Sequence, residues 1–336
     1  MKKILPIIIA VVAVIIVAVV AIVLITGNNT PSVDDNNNTP PVNDNTNNTP
    51  TEKDYNLAIG VVVNNNLTKK ETTETVAAIV TDADGKIVLC RFDCIAFTAK
   101  YTDGVLDTTA PISKVAQGEG YGSMPAGTWY VQGDALAANL VGKTQAEVAA
   151  IALNEKGKLT DADLAATCSI TVTDLLKAVD NAFKSEHKTA FKSTATEFKA
   201  GLAVTAAVAD TAKDGVNNAK FSADFAATVL VDGKIVANIL DYAEVELKNI
   251  ADTAAEAAYK GTKREQGENY GSMPKGTWYV QVDALSAKLV GKTQAEVSAI
   301  ALNEKGKLTD ADLSASCSIA VSSIQKTIVA SIAAAK

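Results

Sequence analysis

The sequence predicts an α+β protein: two tandem copies of an antiparallel β-meander packed with helices, preceded by a single transmembrane helix. Three observations carry that expectation. The stretch YGSMPAGTWYVQGDAL (Tyr121–Leu136) returns almost unchanged as YGSMPKGTWYVQVDAL (Tyr270–Leu285). Each copy begins with runs of β-branched residues and ends in segments of helical spacing, the order of an α+β unit. The chain starts with an uncharged apolar run, Ile4 to Thr26.

That run comes first in chain order. At 1.5 Å per residue it extends about 35 Å as a helix, enough to cross a bilayer with some tilt. A cleaved signal peptide has a shorter apolar region ending in a small-x-small site, whereas this run ends in the bulky Ile22–Ile25. The reading is therefore an uncleaved anchor over residues 1–26. Lys2 and Lys3 precede it, which places the rest of the chain outside the cytoplasm: a single-pass protein of the cell membrane with its C-terminal domains extracytoplasmic. Residues 27–53, rich in Asn, Thr and Pro, have nothing to bury and read as a disordered tether. N-x-T triplets start at Asn28, Asn37, Asn47 and Asn66, and a host that glycosylates them would make the tether a sugar-coated stalk.

The first repeat domain spans residues 54–183. LAIGVVV (Leu57–Val63) and ETVAAIVTD (Glu74–Asp82) read as strands, and DADGK supplies a hairpin turn into a third strand, Lys86 to Phe97. Trp129, Val131, Leu136 and Leu140 are spaced for a helix over Thr128–Leu140. GKTQAEVAAIAL follows as a second helix, with Thr144 and Glu147 as its capping box. A short helix is expected around Asp161–Leu164 and a short strand over Cys168–Val172. Thr173 then caps a third helix that buries Leu175, Leu176, Val179, Ala182 and Phe183. Residues 184–200 are expected to form a polar bridging helix, and 201–336 the second repeat domain. The copies match without a gap from Tyr121 to Val172 at an offset of 149, whereas DGKIVLCRFDCIAF (Asp84–Phe97) and DGKIVANILDYAEV (Asp232–Val245) match loosely at 148.

Composition excludes several chemistries. A net charge of −7 with no basic run beyond Lys2 and Lys3 argues against nucleic acid. The only histidine, His187, lies in the polar bridge, and no Walker loop, dinucleotide fingerprint or HExxH motif occurs. LNEKGKLTDADL (Leu153–Leu164) looks like a calcium loop, but Ala152 and Lys156 stand where carboxylates are needed, so a turn and no metal are expected. Cys90 and Cys94 lie about 13 Å apart along a regular strand, on one face with Val88 and Phe92, too far to bond each other. A disulfide from Cys168 to either of them, burial as thiols, and a cross-copy bridge to Cys317 all remain open.

The helix-start motif gives the candidate site. Gly122, Pro125 and Gly127 make a turn before Trp129, and the second copy repeats it before Trp278. Free N–H groups at that helix start, with Tyr121, Thr128, Trp129 and Tyr130 beside them, would suit a planar anionic ligand; Tyr270, Thr277, Trp278 and Tyr279 are the second set. The competing reading makes each tryptophan the core residue that pins its helix to the sheet.

The series DGKI…D, TKREQGENYG (Thr262–Gly271), G-x-W-Y-x-Q, GKT-x-x-EV and DADL resembles a repeat in surface proteins and lipoproteins of Gram-positive anaerobes. Many of these are similar to FMN-binding-domain proteins of extracellular electron transfer. The resemblance implies FMN as cofactor, bound without a covalent link, since LDTTAP (Leu106–Pro111) lacks the glycine of the covalent S/T-G-A-T motif. With no catalytic constellation, the expected role is a non-enzymatic, membrane-anchored extracytoplasmic binding protein of flavin redox type. The alternative is a structural cell-surface protein (spacer, adhesin or filament subunit) whose partners are other surface proteins or its own copies.

Overall fold

The computed structural model describes residues 51–195, 197–250 and 255–336. The expected anchor, and the tether up to residue 50, lie outside the described residues. Among the described residues no helix is long and apolar enough to cross a membrane.

The chain is a mixed α and β protein with antiparallel sheets. Strands β1 (Lys53–Asn66), β2 (Glu71–Asp82) and β3 (Ile87–Thr98) form a meander. Two short hairpins follow around a single-turn helix: β4 (Tyr101–Thr102) with β5 (Val105–Leu106), then α1 (Lys114–Gln117), then β6 (Ser123–Met124) with β7 (Gly127–Thr128). Helices α2 (Trp129–Leu140), α3 (Gln145–Ala149), α4 (Ala162–Thr167) and α5 (Thr173–Lys184) complete the first copy. Strand β8 (Thr189–Ser193) then pairs with β1, giving the sheet order β3-β2-β1-β8.

The second copy repeats the plan with β9 (Lys199–Asp210), β10 (Ala219–Val231), β11 (Lys234–Lys248) and β12 (Glu256–Ala258), in the order β12-β11-β10-β9. Helices α6 (Lys263–Gln266), α7 (Trp278–Leu289), α8 (Gln294–Ser298), α9 (Ala311–Ser316) and α10 (Ser322–Ala333) follow.

Four layers result, because each sheet buries both faces. Ala58, Ala77, Ile79, Cys90, Phe92 and Cys94 face the helices of the first copy. Leu57, Ile59, Val76, Ala78, Ile95 and Phe97 face the second sheet and share one core with Phe221, Phe225, Ile239 and Val245. Phe97 and Phe221 stack across this joint at 5.3 Å between ring centroids. Polar contacts cross it at the rim: Arg91 Nε donates to the Ala200 carbonyl at 2.9 Å, and Tyr101 Oη to the Asn218 carbonyl at 2.8 Å. The continuous apolar runs of β1 and β2 are the pattern of strands covered on both sides.

The turns follow from residue type. Asp82 Oδ1 accepts from the backbone N–H of Asp84 and Lys86, and in the second copy Asp232 and Gly233 both take positive φ, the two-residue I′ turn that matches strand twist. The last helix of each copy crosses its first strand at a glycine. A Cβ on Gly60 would lie 2.1 Å from the Ala178 carbonyl oxygen, and one on Gly201 1.8 Å from that of Ser331.

Several elements differ from the sequence expectation. Among the described residues of 184–200 there is no bridging helix; β8 fills the free edge of β1, and its buried Phe191 packs on Tyr55 at 5.4 Å. The alternation of TAFKS, with Phe191 and Ser193 in and Ala190 and Lys192 out, has a strand's period of two. The GKTQAEV helix ends at Ala149, because the next residues bridge Leu153 to Leu159 around an Asn154 turn. No strand forms over Cys168–Val172; its backbone bonds instead to Gln132 and Gly157. Val172, not Thr173, is the N-cap of α5. Val88 turns away from Cys90 because a bulge inserts it between the pairs Val80↔Leu89 and Thr81↔Ile87.

Candidate functional site

The repeated motif resolves into a core half and a surface half. Trp129 and Trp278 are 6% and 4% exposed, each inside the helix-side core of its own copy, so their rings pin α2 and α7 to the sheet. Thr128 and Thr277 are N-caps with no side-chain cap bond, and both are buried. Tyr130 and Tyr279 donate their hydroxyls to Glu119 and Glu268 at 2.7 and 2.9 Å. Tyr279 also packs against His187, centroids 4.6 Å apart, so the histidine tucks onto the second copy. Tyr121 and Tyr270, each 39% exposed, are the members of the set that face outward.

The glutamine of G-x-W-Y-x-Q has a structural task. Gln132 is wholly buried; its Nε2 donates to the Gly127 carbonyl at 2.8 Å, and its Oε1 accepts from Ser169 N and Oγ at 2.7 and 3.0 Å. Gln281 does the same with Gly276 and Ser318. The calcium-like run is a turn: Asn154 Oδ1 accepts from the N–H of Lys156 and Lys158, and Asp161 caps α4 through the Leu164 N–H. Among the described residues no three His, Cys, Asp or Glu side chains gather as a metal set.

Cys90, Cys94, Cys168 and Cys317 are free buried thiols. The first three share one apolar core, and Cys317 lies in the other. Burial pushes all four upward, so they pack as small neutral apolar groups, with Thr75 Oγ1 donating to Cys94 Sγ at 3.7 Å. None of the expected pairings forms.

A pair of equivalent recesses opens beside α1 and α6. The first, of about 410 Å³, is lined by Glu71, Thr73, Ile112, Lys114, Gln117 and Tyr121, among others. The second, of about 320 Å³, is lined by Tyr242, Glu244, Glu246, Lys263, Gln266 and Tyr270, among others. Lys114 Nζ lies 5.0 Å from the Tyr121 ring centre and 5.2 Å from that of Trp129. Lys263 Nζ lies 3.7, 4.8 and 5.0 Å from Tyr242, Tyr270 and Trp278, cation–π distances. Burial pushes Lys263 down to about 8, against the pull of Asp224, Glu244 and Asp241.

A buried aspartate fixes each lysine-bearing turn. Asp93 accepts from Ser113 Oγ at 2.7 Å and from the N–H of Val115 and Cys94 at 3.1 and 2.7 Å. Asp241 accepts from the N–H of Tyr242 and Arg264 at 2.8 and 3.2 Å. Burial outweighs these bonds and raises both carboxyls to about 6. Lys114, Lys263, Gln117, Gln266, Asp93 and Asp241 were not singled out from sequence. Their signal was retention between copies in the stretch where the copies otherwise diverge, as in SKVAQGEGY against TKREQGENY.

A third recess, of about 340 Å³, lies between the copies, lined by Gly60, Lys184, Glu186, His187, Arg264 and Glu265, among others. Arg264 forks onto Asp283 and reaches the Leu240 carbonyl, so it is engaged within the fold. Comparison with protein-family models, curated proteins and solved structures finds no match to this chain.

Proposed function

We propose that this chain is a membrane-anchored extracytoplasmic binding protein that presents two equivalent recesses, with FMN as the candidate ligand and redox carriage as the associated role. One observation supports this reading above others. The lysine, glutamine and tyrosine of the recess recur in both copies, although the residues around them changed: Cys94 to Tyr242, Ala96 to Glu244, Glu71 to Lys220. The recess volumes fall at the small end of small-molecule sites. The residues suit a flavin nucleotide in part: Lys114 and Lys263 offer ammonium groups to a phosphate, and Tyr121 and Tyr270 offer ring surface. The buried tryptophans do not. FMN, when bound, would supply one- and two-electron transfer; the chain would hold and orient it.

The test uses purified residues 51–336 incubated anaerobically with FMN and then desalted. Retained flavin absorbance that is lost in Lys114→Ala/Lys263→Ala supports the reading, and no retained flavin rejects FMN. The anchor is tested by membrane fractionation of full-length protein against a chain lacking residues 1–26. A second reading, a structural spacer, adhesin or filament subunit, is favoured by the apolar joint that makes both copies one compact unit. Isolated single particles in electron micrographs of the membrane-bound protein would count against a filament.

A further inference from the structure

Glu74 sits where a carboxyl is out of place. It lies on β2 between Val63 of β1 and Ile95 of β3, on the face shared with Val76 and Ala78, turned toward the second sheet. It is 0% exposed, and neither carboxyl oxygen has a hydrogen-bond partner; the nearby Thr72 hydroxyl, on the same face, has none either. The repeat does not require an acid there, since the equivalent place on β10, six residues before the matching bulge, is the buried Ala223.

The groups that act on Glu74 make ionisation harder. From β11 it meets Asp241, a like charge. From the segment after β12, the Tyr259 phenol lies within electrostatic reach of Glu74, Asp241 and Glu265, and gives its hydroxyl to Glu265 at 3.3 Å. Its flanks on β1 and β3 are apolar, and Arg264, the cation beside Asp241, is forked onto Asp283. An ionised carboxylate with no partner is among the costliest groups to bury, so the closed joint selects the neutral form.

We propose that Glu74 is a proton-loaded pin in the joint between the two sheets, so that the joint is tight in acid and loosens as the medium becomes neutral and alkaline. Burial first, and Asp241 second, raise this carboxyl from 4.5 to about 8 in the closed state. In an opened joint the group meets water and titrates near its ordinary value. Between those two values the closed state holds one more proton than the open one. The opening equilibrium therefore rises as much as about tenfold per pH unit and levels off above about pH 8.

Hydrogen exchange of β2 and β10 peptides, corrected for the intrinsic effect of pH, reads this opening in the wild-type chain and in Glu74→Gln. Asp93, Asp224 and Asp241, each raised to about 6, contribute to both proteins, so the difference between them is the readout. The expected result is a wild-type slope steeper by about tenfold per unit up to about pH 8, absent from the variant. Parallel slopes would overturn the proposal. Should Glu74→Gln fail to fold, carboxyl-carbon NMR of the wild type decides instead. A glutamate carboxyl still protonated at neutral pH and titrating near 8 supports the pin, and its absence overturns it.

Discussion

Replacing Gln132 by Met tests whether the repeated motif is built for the fold or for a ligand. Methionine keeps the length and most of the volume of glutamine, so the packing around Trp129 and Leu136 is largely retained. What disappears is a three-bond clamp: the Gly127 carbonyl loses its donor, and the Ser169 N–H and hydroxyl lose their acceptor. The serine hydroxyl can rotate to another partner. The two backbone groups cannot, and leaving each unpaired in a partly buried place costs about 1–3 kcal/mol. The expected loss is therefore about 2–6 kcal/mol, a large share of a typical domain's stability. In a chain of this size that lowers Tm by roughly 3–10 °C. Urea denaturation followed by circular dichroism reads it, with Val131→Met, at an exposed position one residue away, as the neutral control. Gln281→Met should show the same loss, because its three bonds have nearly the same lengths. A loss below about 1 kcal/mol in both variants would refute the clamp, and the glutamine would need another reason for its place.

Gly60→Ala and Gly201→Ala should each cost about 3 kcal/mol or more, or prevent soluble expression, because the new methyl meets helix backbone that must move bodily; Gly85→Ala, in open space at φ 73°, should cost only about 1 kcal/mol, and urea midpoints compare the three. Thr144→Ala removes the hydroxyl that accepts from the Glu147 N–H at 3.4 Å, and should lower stability by about 0.5–2 kcal/mol in the same assay. Lys114→Ala with Lys263→Ala should abolish retention of the recess ligand while changing stability by no more than about 1–2 kcal/mol per lysine, the scale of a cation held among aromatic rings; a much larger loss would make these lysines structural.

Much of the helical layer was legible because its signals are local. The capping box at Thr144 and Glu147, the apolar spacing of α2 and the turn at DADGK all depend on neighbours a few residues away. The joint between sheets was harder to see because it joins residues more than a hundred positions apart, such as Phe97 and Phe221. Its trace was present in TVAAIV, which is apolar at every position except its first and so lacks the alternation of a sheet with one solvated face. The strand at Thr189–Ser193 was hidden for the same reason: five residues carry little pattern, and only the open edge of β1 makes them a strand. At the candidate site the aromatic residues drew attention, yet the tryptophans belong to the core. The half-buried lysines of the recesses, Lys114 and Lys263, lie just upstream of the near-identical block.

The joint also accounts for how the two copies came to differ. Sequence identity is high from Tyr121 to Val172 and low over the strands, a contrast that duplication alone does not produce. The helical block is largely self-contained. Gln132 with Ser169, Asn154 with Lys156 and Lys158, and Thr144 with Glu147 are bonds within the block, and each has a counterpart of nearly the same length 149 residues later. A strand residue on the inner face instead meets the other copy. Phe97 stacks on Phe221, whereas its own equivalent is Val245. Two faces that must fit each other need complementary rather than identical side chains, so each takes its own set of large and small side chains. The last helices follow the strands they cover. Thr327 and Ser331 of α10 bond Thr205 and Thr228, whereas α5 carries Ala178 and Ala182 at the matching places. Glu74 fits the same logic: the matching place in the second copy is the buried Ala223, so at this position the joint carries a carboxyl on one side only.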